Sequence, residues 1–159
     1  LSKSFDGKKL IKTIILTEKK ISDLYESLSE KTKDKKAANL FKTLAKDEKR
    51  HQKIYQSLLN KLPNQGIIEL DDNDADYIDL LIETNIFKNE ELKKSYSKLD
   101  ALEIAEKVER DGILFINELK NLYPDLAKDQ IKIILTEEKK HLKLVLDKKL
   151  YSTSSSLML

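Results

Sequence analysis

The chain has 159 residues, with 30 basic and 28 acidic side chains, a formal net charge of +2 and no cysteine. The lack of cysteine excludes disulfides, zinc ribbons, iron–sulfur clusters and thiol catalysis, and it agrees with a reducing cytoplasm, the expected location. Basic residues are nearly all lysine and are interleaved with acids, as in Ser29-Glu-Lys-Thr-Lys-Asp-Lys-Lys36, so no one-sided phosphate-tracking stripe exists and no nucleic-acid partner is expected. No apolar run is long enough to span a bilayer, so no membrane partner is expected either.

Three glycines and two prolines leave little material for turns, and the Leu, Ile, Lys and Glu content favours long helices over sheet. Apolar residues recur at helical spacing in four long segments. The first spans about Lys8–Lys31, with Ile11, Ile14, Ile21, Tyr25 and Leu28 on one face. The second spans about Asp34–Leu62, with Ala37, Phe41, Leu44, Tyr55 and Leu58. After Pro63 a connection rich in Asn, Asp and Gly holds a short helix near Ala75–Thr84 and another turn or two around Glu90–Tyr96. The third long helix covers about Asp100–Leu122, with Ala105, Ile116 and Leu119, and the fourth about Asp125–Leu150, with Ile131, Ile134, His141 and Val145. Asp34, Asp100 and Asp125 are the expected N-caps. Residues 1–151 are read as one domain, and 152–159, with its serine run, as a flexible tail.

Short connections make helices one and two an antiparallel hairpin, and likewise three and four. About 35 residues separate the hairpins. The fold class expected is therefore all-α: a ferritin-like four-helix bundle, two antiparallel hairpins joined by a long crossover containing short helices.

Each apolar stripe is broken near its middle by an acid. Glu18 interrupts the first, Glu48 and His51 the second, Glu109 the third, and Glu138 and His141 the fourth. His51 and His141 are the chain's two histidines, and each follows a glutamate by three residues. Positions i and i+3 share a helix face, so each Glu-x-x-His presents a carboxylate and an imidazole to one spot. Glu18 and Glu48 are centred on Lys33 in the first turn, and Glu109 and Glu138 on Tyr123–Pro124 in the second. All four then stand about 22 Å from a turn, at one height in the bundle.

A lone buried histidine is usually a hydrogen-bonded core residue, but two matched pairs at one height read as a metal site. Four carboxylates aimed at one core need shared cations or protons. Carboxylate and imidazole ligands without thiolate suit iron or manganese, with zinc as an alternative, and two sets imply two ions bridged by Glu48 and Glu138. Glu106, one turn before Glu109, is a possible further ligand at the edge of that face. Glu137 reads as surface. Tyr25 reads as core, or as a hydrogen-bond donor to a ligand carboxylate.

These motifs, Glu18-x6-Tyr25, Glu48-Lys-Arg-His51, Glu109-Arg-Asp-Gly-Ile-Leu-Phe115 and Glu138-Lys-Lys-His141, resemble those of the ferritin-like di-iron family, and within it the rubrerythrin-type domain. The likeness runs from about Leu10 to Leu150, and Tyr77–Phe87 is similar to the connector helix of small members. The resemblance implies terminal carboxylates from Glu18 and Glu109, bridges from Glu48 and Glu138, and one histidine per metal. It implies an oxidoreductase acting on peroxide or dioxygen, with Tyr25 orienting a ligand. The chain departs from the pattern at Gly112, where an additional glutamate is expected, and at Ile116, where an aromatic is expected. Rubrerythrins proper carry a cysteine-ligated rubredoxin module, so electrons here are expected from a separate donor such as a rubredoxin. A homodimer is expected, with the crossover as a hinge for helix exchange. Ferroxidase or iron-handling activity, or a non-enzymatic metal-binding bundle, are the alternatives.

Overall fold

The computed structural model describes residues 1–62, 66–85 and 97–157, the last six of them by backbone alone. In chain order the elements are β1 (Ser2–Asp6), α1 (Lys8–Lys31), α2 (Lys35–Lys61), β2 (Ile67–Asp71), α3 (Asp72–Glu83), α4 (Lys98–Leu122) and α5 (Lys128–Leu157). The four long helices are those expected. The turn expected at Glu90–Tyr96 and the end of the connector at Phe87 lie outside the described residues.

Helix ends follow local chemistry. Asp34 caps α2 as expected, its carboxylate accepting from the backbone N–H groups of Lys36 and Ala37. Asp100 is not a cap: Ser97 takes that place, its hydroxyl accepting from Asp100 N at 3.1 Å, which puts Asp100 in the first turn. Nor is Asp125 a cap. Ala127 adopts a left-handed φ of 42° and its carbonyl accepts from Ile131 N, so α5 begins three residues later than expected, at Lys128. At its other end α5 continues through the serine run to Leu157.

Two apolar clusters fill the bundle. One gathers Ile11, Ile14, Tyr55, Leu58, Phe115, Ile116, Ile131 and Ile134. The other gathers Ile21, Tyr25, Leu28, Phe41, Leu44, Ala105, Val108 and Val145. Along α1 and α5 the first cluster comes before the second; along α2 and α4 the order reverses. Hence α1 and α5 run one way and α2 and α4 the other. The two hairpin turns lie at opposite ends of the bundle, the first beside Lys98 and the second beside Gly66.

The unexpected element is a two-stranded antiparallel sheet, with Ser2 opposite Asp71 and Asp6 opposite Ile67. It closes the end that holds the second turn. Phe5 enters the first apolar cluster, and the Tyr123 hydroxyl donates to Gly66 O. A Cβ on Gly7 would lie 2.0 Å from that hydroxyl, so the close approach of turn and strand requires glycine here. From β2, α3 packs Ala75 and Ile78 onto the same cluster, and Asn85 then donates to the Thr17 hydroxyl at 3.2 Å. No helix among the described residues is long and apolar enough to cross a membrane.

Candidate metal centre

Between the two apolar clusters lies a polar layer. Glu18 sits between Ile14 and Ile21 on α1, Glu48 and His51 between Leu44 and Tyr55 on α2, Glu109 between Val108 and Phe115 on α4, and Glu138 and His141 between Leu135 and Val145 on α5. None of the six is more than 4 % exposed. The equal heights expected from the turn midpoints are the heights observed.

The six form two overlapping groups. Glu18, Glu48, His51 and Glu138 offer one ligand atom each, all within 4.8 Å of one another, and Glu48, Glu109, Glu138 and His141 do the same. The shared members divide their oxygens between the halves. Glu48 turns Oε2 to His51 Nδ1 at 3.2 Å and Oε1 to His141 Nδ1 at 2.7 Å. Glu138 turns Oε1 to His51 Nδ1 at 2.9 Å and Oε2 to His141 Nδ1 at 3.5 Å. The imidazoles lie 5.8 Å apart, 21° from parallel.

Burial and mutual charge favour shared protons within this layer. Burial and the charges of Glu138 and Glu48 push Glu18 well up, and burial with the same two charges pushes Glu109 well up, which favours the neutral acid form of both. Burial opposes ionisation of Glu48 and Glu138 as well, but the proximity of Glu18 and the two histidines lowers Glu48, and that of the histidines and Glu109 lowers Glu138 further. Burial likewise opposes charge on the imidazoles. Their carboxylate partners outweigh it, raising His51 strongly and His141 to about 10.

The donors also fit metal ions. Glu18 Oε2, Glu48 Oε1 and His141 Nδ1 are buried without a hydrogen bond. The last two are only 2.7 Å apart, yet lack hydrogen-bond alignment. Buried lone pairs that converge without donors are costly unless a cation takes them. The oxygen and imidazole donor set suits a transition ion of intermediate hardness.

The outer nitrogens show partners that sequence reasoning missed. His51 Nε2 lies 2.6 Å from Glu137 Oε2, and His141 Nε2 lies 3.2 Å from Asp47 Oδ2. Glu137, read as surface, is a quarter exposed and also binds Arg50. A signal existed: in Asp47-Glu48-x-x-His51 and Glu137-Glu138-x-x-His141 an acid precedes each glutamate shared by the two groups. Each engages the histidine of the facing helix, leaving Nδ1 directed inward.

The Tyr25 hydroxyl donates to Glu109 Oε1, which satisfies a carboxylate oxygen that would otherwise be buried without a donor. Glu106 stays outside the layer, with Arg110 at 3.7 Å and Lys149 at 3.6 Å. Position 112 is open: a Cβ there would meet no atom within 4 Å.

A scan of family models matches Rubrerythrin over residues 9–149. No curated protein matches. Among solved structures, the chain resembles a Thermotoga maritima protein provisionally described as a ferritin-like diiron-carboxylate protein, at 21% identity and a TM-score of 0.65, covering 93% of this chain and 97% of that one. That likeness shows the fold: a ferritin-like helical bundle. With the family match covering nearly its whole length, the chain belongs to the rubrerythrin family.

Proposed function

We propose that the polar layer holds two transition-metal ions, iron in preference to manganese or zinc, and serves an oxidoreductase acting on peroxide or dioxygen. One observation carries this reading: Glu48 and Glu138 each place one oxygen in each half of the layer. Glu18 and His51 would complete one half, Glu109 and His141 the other. Iron held there would supply one-electron redox chemistry toward an oxygen-containing oxidant.

The chain's own residues supply the rest. Ligands bind deprotonated, so any proton held on Glu18, Glu109 or the Nδ1 of either imidazole would leave as metal enters. Glu48 and Glu138 are already anionic and need only keep their orientation. Tyr25 holds Glu109, and the apolar clusters on both sides keep bulk water out. Electrons are proposed to arrive from a separate donor protein such as a rubredoxin, in the cytoplasm, with the chain acting as a homodimer.

A second reading, iron oxidation or iron handling without peroxide turnover, is favoured by position 112. No seventh carboxylate enters the layer from there, or from Glu106.

Metal analysis of protein purified without chelator tests the centre. Close to two equivalents are expected in wild type, with clear loss in His51→Ala and His141→Ala. Less than one equivalent, unaffected by either substitution, would sink the proposal. Iron-loaded protein whose visible absorption is bleached by reductant and restored by peroxide over many cycles supports the oxidoreductase; a single cycle followed by iron release supports iron handling.

A further inference from the structure

Two of the layer's glutamates carry a tyrosine seven residues on: Glu18-x6-Tyr25 in α1 and Glu48-x6-Tyr55 in α2. Because α1 and α2 are antiparallel, the tyrosines lie on opposite sides of the layer, Tyr25 in one apolar cluster and Tyr55 in the other. Both are 0% exposed. Helical side chains lean toward the N-terminus of their own helix, so both phenols lean back toward the layer. Tyr55 starts four residues beyond His51, about 6 Å along the axis, within reach of a tyrosine side chain.

Their hydroxyls are not equivalent. That of Tyr25 donates to Glu109. That of Tyr55 is buried and has no hydrogen-bond partner, although it lies in the field of Glu18, Glu138 and Glu48. Glu18 Oε2, in the same half of the centre, also lacks a hydrogen bond. Ile11, Ile14, Leu58 and Ile116 of the same apolar cluster have aliphatic side chains and offer no acceptor. Phenylalanine would fill the same space without burying an unused donor. The centre is thus flanked by one tyrosine already committed to a carboxylate and one with its donor free.

We propose that the Tyr55 hydroxyl is the hydrogen-bond donor for a small anionic ligand, of the azide or peroxide class, bound in the Glu18–His51 half of the centre. This inference rests on the metal-centre reading and deepens it. The two halves are then unequal: the Glu109–His141 half has its tyrosine bonded to its own carboxylate, and the Glu18–His51 half receives the incoming ligand.

Azide is the probe. Wild type and Tyr55→Phe are loaded with iron, their metal content is measured, and azide is titrated against the visible absorption. At equal metal content, Tyr55→Phe is expected to bind azide roughly tenfold more weakly or worse, as fits loss of a hydrogen bond to a charged partner. The metal-free proteins supply a second readout: Tyr55→Phe should melt no lower than wild type, because the hydroxyl holds nothing in the fold. Equal azide affinities at equal loading overturn this assignment and leave the metal centre standing. A lower metal-free melting temperature also overturns it, since the hydroxyl would then be structural. Less than one equivalent of metal in wild type overturns the underlying reading and this inference with it.

Discussion

His51 Nε2 lies 2.6 Å from Glu137 Oε2, on the opposite edge of the ring from the inward-facing Nδ1. The mirror contact joins His141 to Asp47 at 3.2 Å. Each hairpin therefore orients the other's histidine, so the centre depends on the register between α2 and α5 as well as on the six inward groups. Asp47→Ala and Glu137→Ala should each lower metal affinity by about 10–100-fold, the usual effect of losing such an outer partner. Helix content should hold, because both acids are partly exposed at 31% and 25%. Competition with a chromophoric chelator measures the change; unaltered affinity would mean that packing alone sets the ring orientation.

Stability of the metal-free protein should depend on pH from both sides. His51 and His141 are raised above the ordinary value of 6.5, His141 to about 10, because the carboxylates outweigh burial. A raised folded pKa means the contribution is complete below the unfolded pKa and is lost as pH rises through the folded one. Glu18 and Glu109, raised above 4.5 by burial and neighbouring charge, act in the same sense. Glu48 and Glu138 are lowered, so their contribution exists above about 4.5 and is lost on acidification. Melting temperatures of metal-free protein should fall between neutral pH and about pH 10. Metal-loaded protein, whose ions replace those protons, should fall less. Parallel curves for the two forms would contradict the proton-for-metal exchange.

At the end of the bundle that carries the sheet, Gly7 and Tyr123 are coupled by space. An added Cβ would lie 2.0 Å from the Tyr123 hydroxyl and 2.6 Å from two ring carbons, and the ring is anchored through its bond to Gly66 O. Gly7→Ala should cost about 1–3 kcal/mol, typical of forced overpacking. Tyr123→Ala in the same chain should recover part of that loss, giving a non-additive double-mutant cycle by urea unfolding. Additive effects would show that the ring moves aside freely.

The buried glutamate–histidine layer was legible because its determinants are local. A three-residue spacing fixes a helix face, and equal distances from a turn fix equal height, so Glu18, Glu48, His51, Glu109, Glu138 and His141 could be aligned before any packing was known. Asp47 and Glu137 escaped because their partners sit on a facing helix, and contact there depends on how α2 and α5 are rotated. The sheet escaped for a different reason. In β1 only Phe5 is buried, so no alternation of apolar and polar residues marks it, and its pairing with β2 spans more than sixty residues. Helix starts shifted where tertiary geometry chose between adjacent caps, as Ser97 over Asp100, or inserted a left-handed residue, as at Ala127.

Gly112 lies in the interior of α4, three residues past Glu109, and carries no positive φ. A Cβ there would meet nothing within 4 Å, so no close approach requires glycine. Glycine in a helix interior costs roughly 0.5–1 kcal/mol relative to alanine, through the larger backbone freedom it loses on folding. Gly112→Ala should therefore raise stability by about that amount, a gain of a few degrees in melting temperature for a domain of this size. Metal content and azide affinity should stay unchanged, because the added methyl reaches none of the six inward groups. A gain in stability with loss of metal would instead mean that α4 must yield at Gly112 for Glu109 to take its place, and hydrogen exchange along α4 would locate that opening.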